Sequence, residues 1–500
     1  MMTHRVAAFA LLLCVKSICV AGHPNQSKWD LKTQSSISAS NATAFAVTYG
    51  YPLTQYAATF DSLLATNGSN TLYHHRITAS PSSAAIVRPN VDTLYSMAAI
   101  DLSHSDVVLT IPPVNDNRFY VFPFYDLWSN NFANLGTVNS TLPGKYLLRF
   151  VGASKAVGFE SPSPNCSEYL GFINFPTVYG LTLPRILLRS NTSTELDAVH
   201  RIQDQIEIQE IPRHIEPIAP KLTPQLLGNG SISSLATRPS QSLDKSGITQ
   251  LLKVLARFVN NNPPANRQEA QVVKRTFRKA GLDNGHYTPP PGLNITLVQQ
   301  YMDAEMESLV NCVQTFSNGW LDFLPQYSGY FSNQYAVRSY IANIGYLQLV
   351  QYEALYPEYA AGFLLSENQS YILNFPSGKP PVIDAGFWSL TVYNSSSYLV
   401  QNPLNRYSLG DRSNLTYPDG DLVYGNGSSD RNDVFSILLQ SANVPPPANW
   451  TSNWLPTPAG GGNFTVNLRF YGPTQELKAS GSYVYPTVTK QSSLVVNIYD

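Results

Sequence analysis

Asn-x-Ser/Thr triplets run the length of this chain and restrict what can face its interior. They stand at Asn25, Asn41, Asn67, Asn139, Asn165, Asn191, Asn229, Asn294, Asn368, Asn394, Asn414, Asn426, Asn449 and Asn463. Chance alone would supply about seven, half the observed number. In a chain that enters the secretory route such a triplet accepts an N-linked glycan, and a glycan sits only on exposed backbone. The triplets therefore mark expected surface points in every part of the fold. At Asn165 and Asn449 the middle residues, Cys166 and Trp450, weaken the acceptor.

The first residues agree with that route. Residues 1–21 combine a short basic start (His4, Arg5), an apolar run from Val6 to Val15, and small residues near Ala21, the pattern of a secretory signal peptide cut near Gly22. The apolar run is shorter than the roughly 20 residues that span a bilayer, and no later stretch reaches that length. A secreted or secretory-lumen protein without a membrane span is expected. Without the signal peptide two cysteines remain, Cys166 and Cys312, which in an oxidising compartment read as one disulfide.

Charged residues make up 13% of the chain and the net charge is −1. No electrostatic basis exists for binding nucleic acid or an acidic membrane. There is no HExxH or CxxC, and His74–His75 lacks a third ligand at short spacing, so neither metal nor cofactor is expected. The 30 tyrosines, 22 phenylalanines and 6 tryptophans suit cores and also pockets for flat ligands. The expected partners are N-linked glycans and a small apolar or aromatic substrate; a homo-oligomer stays open.

The apolar spacing predicts an α+β chain. Residues 39–65 read as a helix interrupted near Pro52. Runs at 107–111, 119–124 and 146–151 read as strands, and 194–210 returns to helical periodicity. Helices are predicted over 246–260, 267–280, 297–316 and 334–356, and strands over 386–393, 422–424, 435–439, 464–471 and 493–499. The expected organisation is a mixed N-terminal domain (39–210), a helical connecting region (211–356) and a C-terminal antiparallel β jelly roll or sandwich (357–500).

Two sets of motifs carry a resemblance. VRPNVDTLYS at Val87 to Ser96 and RFYVFPFYDLWSNNFANLG at Arg118 to Gly136 resemble the family called domain of unknown function 1254. EALYP from Glu353, FWSLTVY from Phe387, NPLNRYSLGDR from Asn402, NWLPTPAG from Asn453 and LRFYGP from Leu468 resemble domain of unknown function 1214. The resemblance implies the same three-part fold and little about the reaction. Similar secreted, glycosylated fungal enzymes of secondary metabolism include hetero-Diels–Alderases, which join a tropolone-derived quinone methide to a sesquiterpene alkene. An activity of that kind is an expectation drawn from the resemblance, not from spacing.

Such a reaction needs orientation and a donor to a polarised carbonyl rather than a nucleophile. Candidate catalytic residues are Asn90, Asp92, Tyr95, Tyr125, Trp128 and Arg406; candidate substrate-binding residues are Tyr346, Trp388, Tyr407 and Arg185. Each has a plain alternative. Asn90 and Asp92 follow Pro89 and suit a turn, Tyr95 suits a buried strand, and Trp388 suits a core. Arg406 could pair with Asp411 or bridge domains, and Asp126 could be a base or a turn cap. A hydrolase of small molecules or glycans and a non-catalytic carbohydrate-binding protein remain alternative functions.

Overall fold

The computed structural model describes residues 37–82, 88–152, 155–163, 168–213, 216–425, 427–428 and 431–495. It is an α+β structure with several largely antiparallel sheets. The first helix, Ala39–Gly50, is capped by Ser38, whose hydroxyl accepts from the Asn41 amide at 3.1 Å. Pro52 opens the second helix, Pro52–Thr66, a position that lacks a helical partner for N–H in any case. Ala42 to Gly50 are buried all round, because this helix runs through the middle of a cluster formed with Lys245–Phe258, Ala270–Lys279, Ile295–Glu307 and Tyr335–Gly345.

Next to the helices stand two N-terminal sheets. One joins Thr93–Asp101, Arg185–Leu187, Tyr120–Asp126 and Asn131–Gly136, with Tyr179–Thr182 pairing both Thr93–Asp101 and Tyr120–Asp126. The other joins Glu207–Pro212, Ser105–Ile111, Gly144–Phe150, Gly171–Phe175 and Gly158–Glu160. Strand periodicity of two explains the layering. Leu94, Ile100, Phe122 and Phe124 face the second sheet, whereas Met97, Ala99, Val121 and Tyr125 face the helices. The first sheet is thus covered on both faces, and its inner side chains meet the helical region.

The C-terminal part is built from two further sheets. Val382–Asn394 and Gly461–Pro473 form a long antiparallel ribbon, flanked by Ala354–Leu355, Phe363–Ser366 and Ser408–Gly410. Gln369–Phe375, Phe435–Ser441, Thr487–Ser492 and Trp454–Thr457 form the second sheet, with the last pairing in parallel. Trp388, Leu390 and Phe470 from the ribbon close on Leu373, Phe375 and Ile437 from the other sheet.

Several predicted boundaries move. The helix expected over 194–210 ends at Gln203, and Glu207–Pro212 joins a sheet edge against Ser105–Ile111; Ile206 and Ile208 fit either period, and sheet pairing decides. The helix expected over 297–316 gives way to a 3₁₀ turn at Ser308–Cys312 and a strand at Val313–Thr315. That over 334–356 stops at Gly345. Residues 422–424 form no strand, only a bridge from Leu422 to Thr416. The last strand lies at Thr487–Ser492, and residues 496–499 of the expected one fall outside the described residues. Among the described residues no helix is long and apolar enough to cross a membrane.

Candidate functional site

The inner face of the first sheet meets the C-terminal ribbon along a buried polar seam. Arg185 sits directly opposite Tyr95 in the sheet register, and its guanidinium lies 5.5 Å from the Tyr95 ring centre. Its Nη2 donates to the Leu347 carbonyl at 2.8 Å and reaches the Tyr125 hydroxyl at 3.4 Å. The Tyr125 hydroxyl donates to the same carbonyl at 2.8 Å. Leu347 adopts φ 64°, a left-handed conformation that costs a leucine about 1–3 kcal/mol. That twist after the helix end at Gly345 aims its carbonyl at both donors.

Arg185 is only 5% exposed, its Nε has no hydrogen-bond partner, and it makes no ion pair among the described residues. Four phenols, Tyr95, Tyr125, Tyr356 and Tyr471, lie close enough to act on its charge. Burial pushes the Tyr95 hydroxyl up to about 12 and the Tyr125 and Tyr471 hydroxyls higher still. Tyr471 stacks on Phe387 at 4.3 Å and meets Tyr356 edge-on at 6.2 Å. Tyr346 brings a buried hydroxyl without a partner. Tyr95, Tyr346 and Tyr356 are half-buried residues, and burial strongly desolvates all three phenols. Beyond Gly345 a Cβ would meet open space.

Glu353 closes this side. It is fully buried; Oε1 accepts from Asn139 Nδ2 at 2.7 Å, and Oε2 has no partner. Burial raises its pKa to about 7, against the lowering effects of Asn139 and Arg185.

The other side of the seam is fully paired. Asp92 receives Arg412 Nη2 at 2.5 Å and the Ser389 hydroxyl at 2.7 Å. Arg412 also pairs with Asp411 at 2.8 Å and lies over the Phe387 ring; burial raises the Asp411 carboxyl to about 6, with Arg412 opposing. Asn90 Nδ2 donates to the Tyr471 hydroxyl at 2.8 Å. Arg469 donates to Thr391 Oγ1 at 2.9 Å and to the Tyr393 hydroxyl at 2.7 Å, and that hydroxyl donates to the Pro89 carbonyl at 2.8 Å.

Residues 69–210 match the family described as "Protein of unknown function (DUF1254)", and residues 353–475 match "Protein of unknown function (DUF1214)". The chain carries DUF1254 and DUF1214 in tandem. The seam is where the two meet, and each motif that bore the resemblance, NWLPTPAG apart, contributes to it. The VPA0106 protein from Vibrio parahaemolyticus shares the fold, with a TM-score of 0.55 at 18% identity over 90% of this chain and 99% of that one. An uncharacterised protein from Burkholderia cenocepacia aligns at a TM-score of 0.40 and 12% identity, over 89% of this chain and 87% of that one. No curated protein matches the chain.

Of the predicted site residues, Tyr95, Tyr125 and Arg185 from DUF1254 and Tyr346, just past the connecting helix, gather at this end of the seam, and Asn90 and Asp92 stand on its paired side. The rest lie elsewhere. Trp128 packs edge-on to Tyr49 at 4.9 Å and donates to the Asn262 carbonyl. Trp388 fills the DUF1214 core beside Phe375 and donates to the Tyr424 hydroxyl. Arg406 neither pairs with Asp411 nor reaches DUF1254; it holds the Thr451 and Trp454 carbonyls at 2.6 and 2.8 Å. Tyr407 donates to Asn405 Oδ1 at a half-buried position. Asp126 caps a turn, accepting from the Trp128 and Asn130 amides, and burial raises its pKa to about 6. Sequence reasoning missed Glu353, Tyr356, Arg469 and Tyr471, although all four stand inside the DUF1214 motifs EALYP and LRFYGP.

The glycan acceptors divide cleanly by burial. Asn67, Asn139, Asn191, Asn229, Asn294, Asn368, Asn414, Asn449 and Asn463 are exposed, and Asn41 and Asn394 are half-buried. Asn25, Asn165 and Asn426 lie outside the described residues. Among the described residues nine other asparagines are buried, Asn90, Asn131 and Asn262 among them, and none of the nine begins a triplet. Cys312 stands as a free buried thiol where a disulfide was expected; its expected partner Cys166 lies outside the described residues.

Proposed function

We propose that this protein is a secreted, glycosylated enzyme of secondary metabolism that holds two small, weakly charged reactants beside Arg185 and joins them by hetero-Diels–Alder addition. The observation that carries the reading is the buried Arg185 guanidinium, which has an unsatisfied Nε, no ion pair among the described residues, and tyrosines around it. A cation held there can donate to the carbonyl oxygen of a quinone methide and draw electron density from the diene. The aromatic wall can clasp both flat reactants, and orientation alone is worth about 7–11 kcal/mol in well-oriented model reactions. The proposed route of secretion draws support from the acceptor asparagines, which keep out of the interior.

The test is to incubate purified protein with a tropolone-type quinone-methide precursor and a sesquiterpene alkene and to read product stereochemistry. A single stereoisomer formed faster than background is expected, and a racemate at the background rate refutes the reading. Glu353, whose pKa lies near neutrality, is the observation that favours a hydrolase instead. Turnover of an ester or glycoside panel that is lost in Glu353→Gln would establish that second reading.

A further inference from the structure

A cleft away from the seam shares no residue with the Arg185 site. Where the second N-terminal sheet meets the helical region, a cleft of about 240 Å³ is lined by Phe150, Val178, Ile218 and Pro263 together with Asn260, Asn261 and Arg267. Its walls are fixed to one another, because Asn262 Oδ1 accepts from the Val178 and Tyr179 amides at 3.0 and 3.2 Å. The Asn262 side-chain amide in turn donates to the Phe258 carbonyl at 2.9 Å. Arg267 spends one Nη2 proton on the Pro176 carbonyl at 3.1 Å. Its Nε is buried without a partner, and it makes no ion pair among the described residues.

A half-buried guanidinium without a counter-charge, set in apolar walls, presents a planar fork that matches a carboxylate. The volume limits the rest of the ligand, being below the roughly 300–1,000 Å³ of pockets for drug-sized molecules. We propose that this cleft binds a compact organic acid, its carboxylate on Arg267 and its apolar body against Phe150, Val178, Ile218 and Pro263. The site is independent of the Arg185 site and of the reaction proposed there.

Benzoate is a suitable probe, titrated calorimetrically into the full-length glycosylated chain, with benzamide as its uncharged counterpart. Benzoate is expected to saturate one site and to bind about tenfold or more tightly than benzamide, as a charged hydrogen bond warrants. Arg267→Gln should erase that preference, and Ile218→Trp, which fills the cleft without touching the cation, should abolish binding of both. Arg185→Gln should leave benzoate affinity unchanged. Equal binding of benzoate and benzamide, or benzoate binding that survives both Arg267→Gln and Ile218→Trp, overturns the proposal. So does binding lost only in Arg185→Gln. Should the Arg267 variant fail to fold, the Ile218 variant decides alone.

Discussion

The two halves of the seam between DUF1254 and DUF1214 use the same side chains to different ends. On one half Arg412 meets two carboxylates and Arg469 meets two hydroxyls, and Asp92 ties two segments of DUF1214 to DUF1254. On the other half Arg185 holds one carbonyl, Tyr346 holds nothing, and Glu353 leaves an oxygen bare. A buried polar network rigidifies when every member is paired and is costly when it is not. The paired half is an adhesive that holds two modules in register; the unpaired half stores the donors and acceptors that a ligand would complete.

The sharpest way to break that contrast is to cut both halves and compare stabilities. Asp92→Ala leaves Arg412 with Asp411 alone and frees Ser389, and loss of one partner of a buried pair costs about 3–5 kcal/mol. Chemical denaturation should show a loss of that order. Arg185→Gln removes a cation that has no counter-charge, so a much smaller loss, or a gain, is expected from the same measurement. Equal losses at the two positions would erase the distinction.

Turnover should report the reverse order. If Arg185 polarises a carbonyl, Arg185→Gln in a folded protein should lower kcat by about 10²–10³, the usual effect of deleting one such donor. Tyr125→Phe removes the hydroxyl that shares the Leu347 carbonyl with Arg185. It should cost about 1 kcal/mol of stability, the net value of one hydrogen bond. A folded Arg185 variant with full activity removes the site.

How far the sequence reveals this contrast depends on what distinguishes one buried aromatic or arginine from another. The layered α+β plan is legible because the alternation through Tyr120–Asp126 and the helical spacing from Ser246 are local patterns. Tyr95 and Tyr125 stand in recognisable motifs, whereas Arg185 lies outside them, and the sheet register and a hydrogen bond bring the three together. Trp128 and Trp388 carry the same local signal yet fill cores, since what a side chain packs against is a tertiary property. Asn90 and Tyr471 are 381 residues apart when they hydrogen-bond, and no periodicity reports such a meeting. Arg406 and Arg412 lie six positions apart in one motif; only the fold shows which of them crosses the seam.

Titration sharpens the comparison further. Burial raises the folded pKa of Glu353 to about 7 from an ordinary 4.5. The folded state therefore binds its proton more tightly than the unfolded chain does. Its contribution to stability is fully present below about pH 4.5 and is lost as pH rises through about 7. Asp322, raised to about 7, and Asp411, raised to about 6, act with the same sign. Stability should fall between about pH 4.5 and 7, and Glu353→Gln should flatten that fall by roughly 1–3 kcal/mol. An unchanged slope in the variant would mean that Glu353 is matched by groups around it and belongs with the paired half.

The smallest effect falls on the surface. Asn139 begins a glycan acceptor triplet, yet both protons of its amide nitrogen are committed, to Glu353 Oε1 at 2.7 Å and to the Asn134 carbonyl at 3.3 Å. An N-linked sugar replaces one of those protons and costs at least one hydrogen bond, about 1 kcal/mol, or more if the bond to the buried carboxyl is the one lost. If the chain is glycosylated as proposed, copies carrying a glycan at Asn139 should fold less well and be depleted from the folded protein. Glycopeptide mass spectrometry should therefore find Asn139 largely bare, while Asn368 and Asn463, whose neighbourhoods make no such demand, carry sugar. Full occupancy at Asn139 in active protein would show that Glu353 does not need its amide, and the unpaired half of the seam would be looser than its geometry implies.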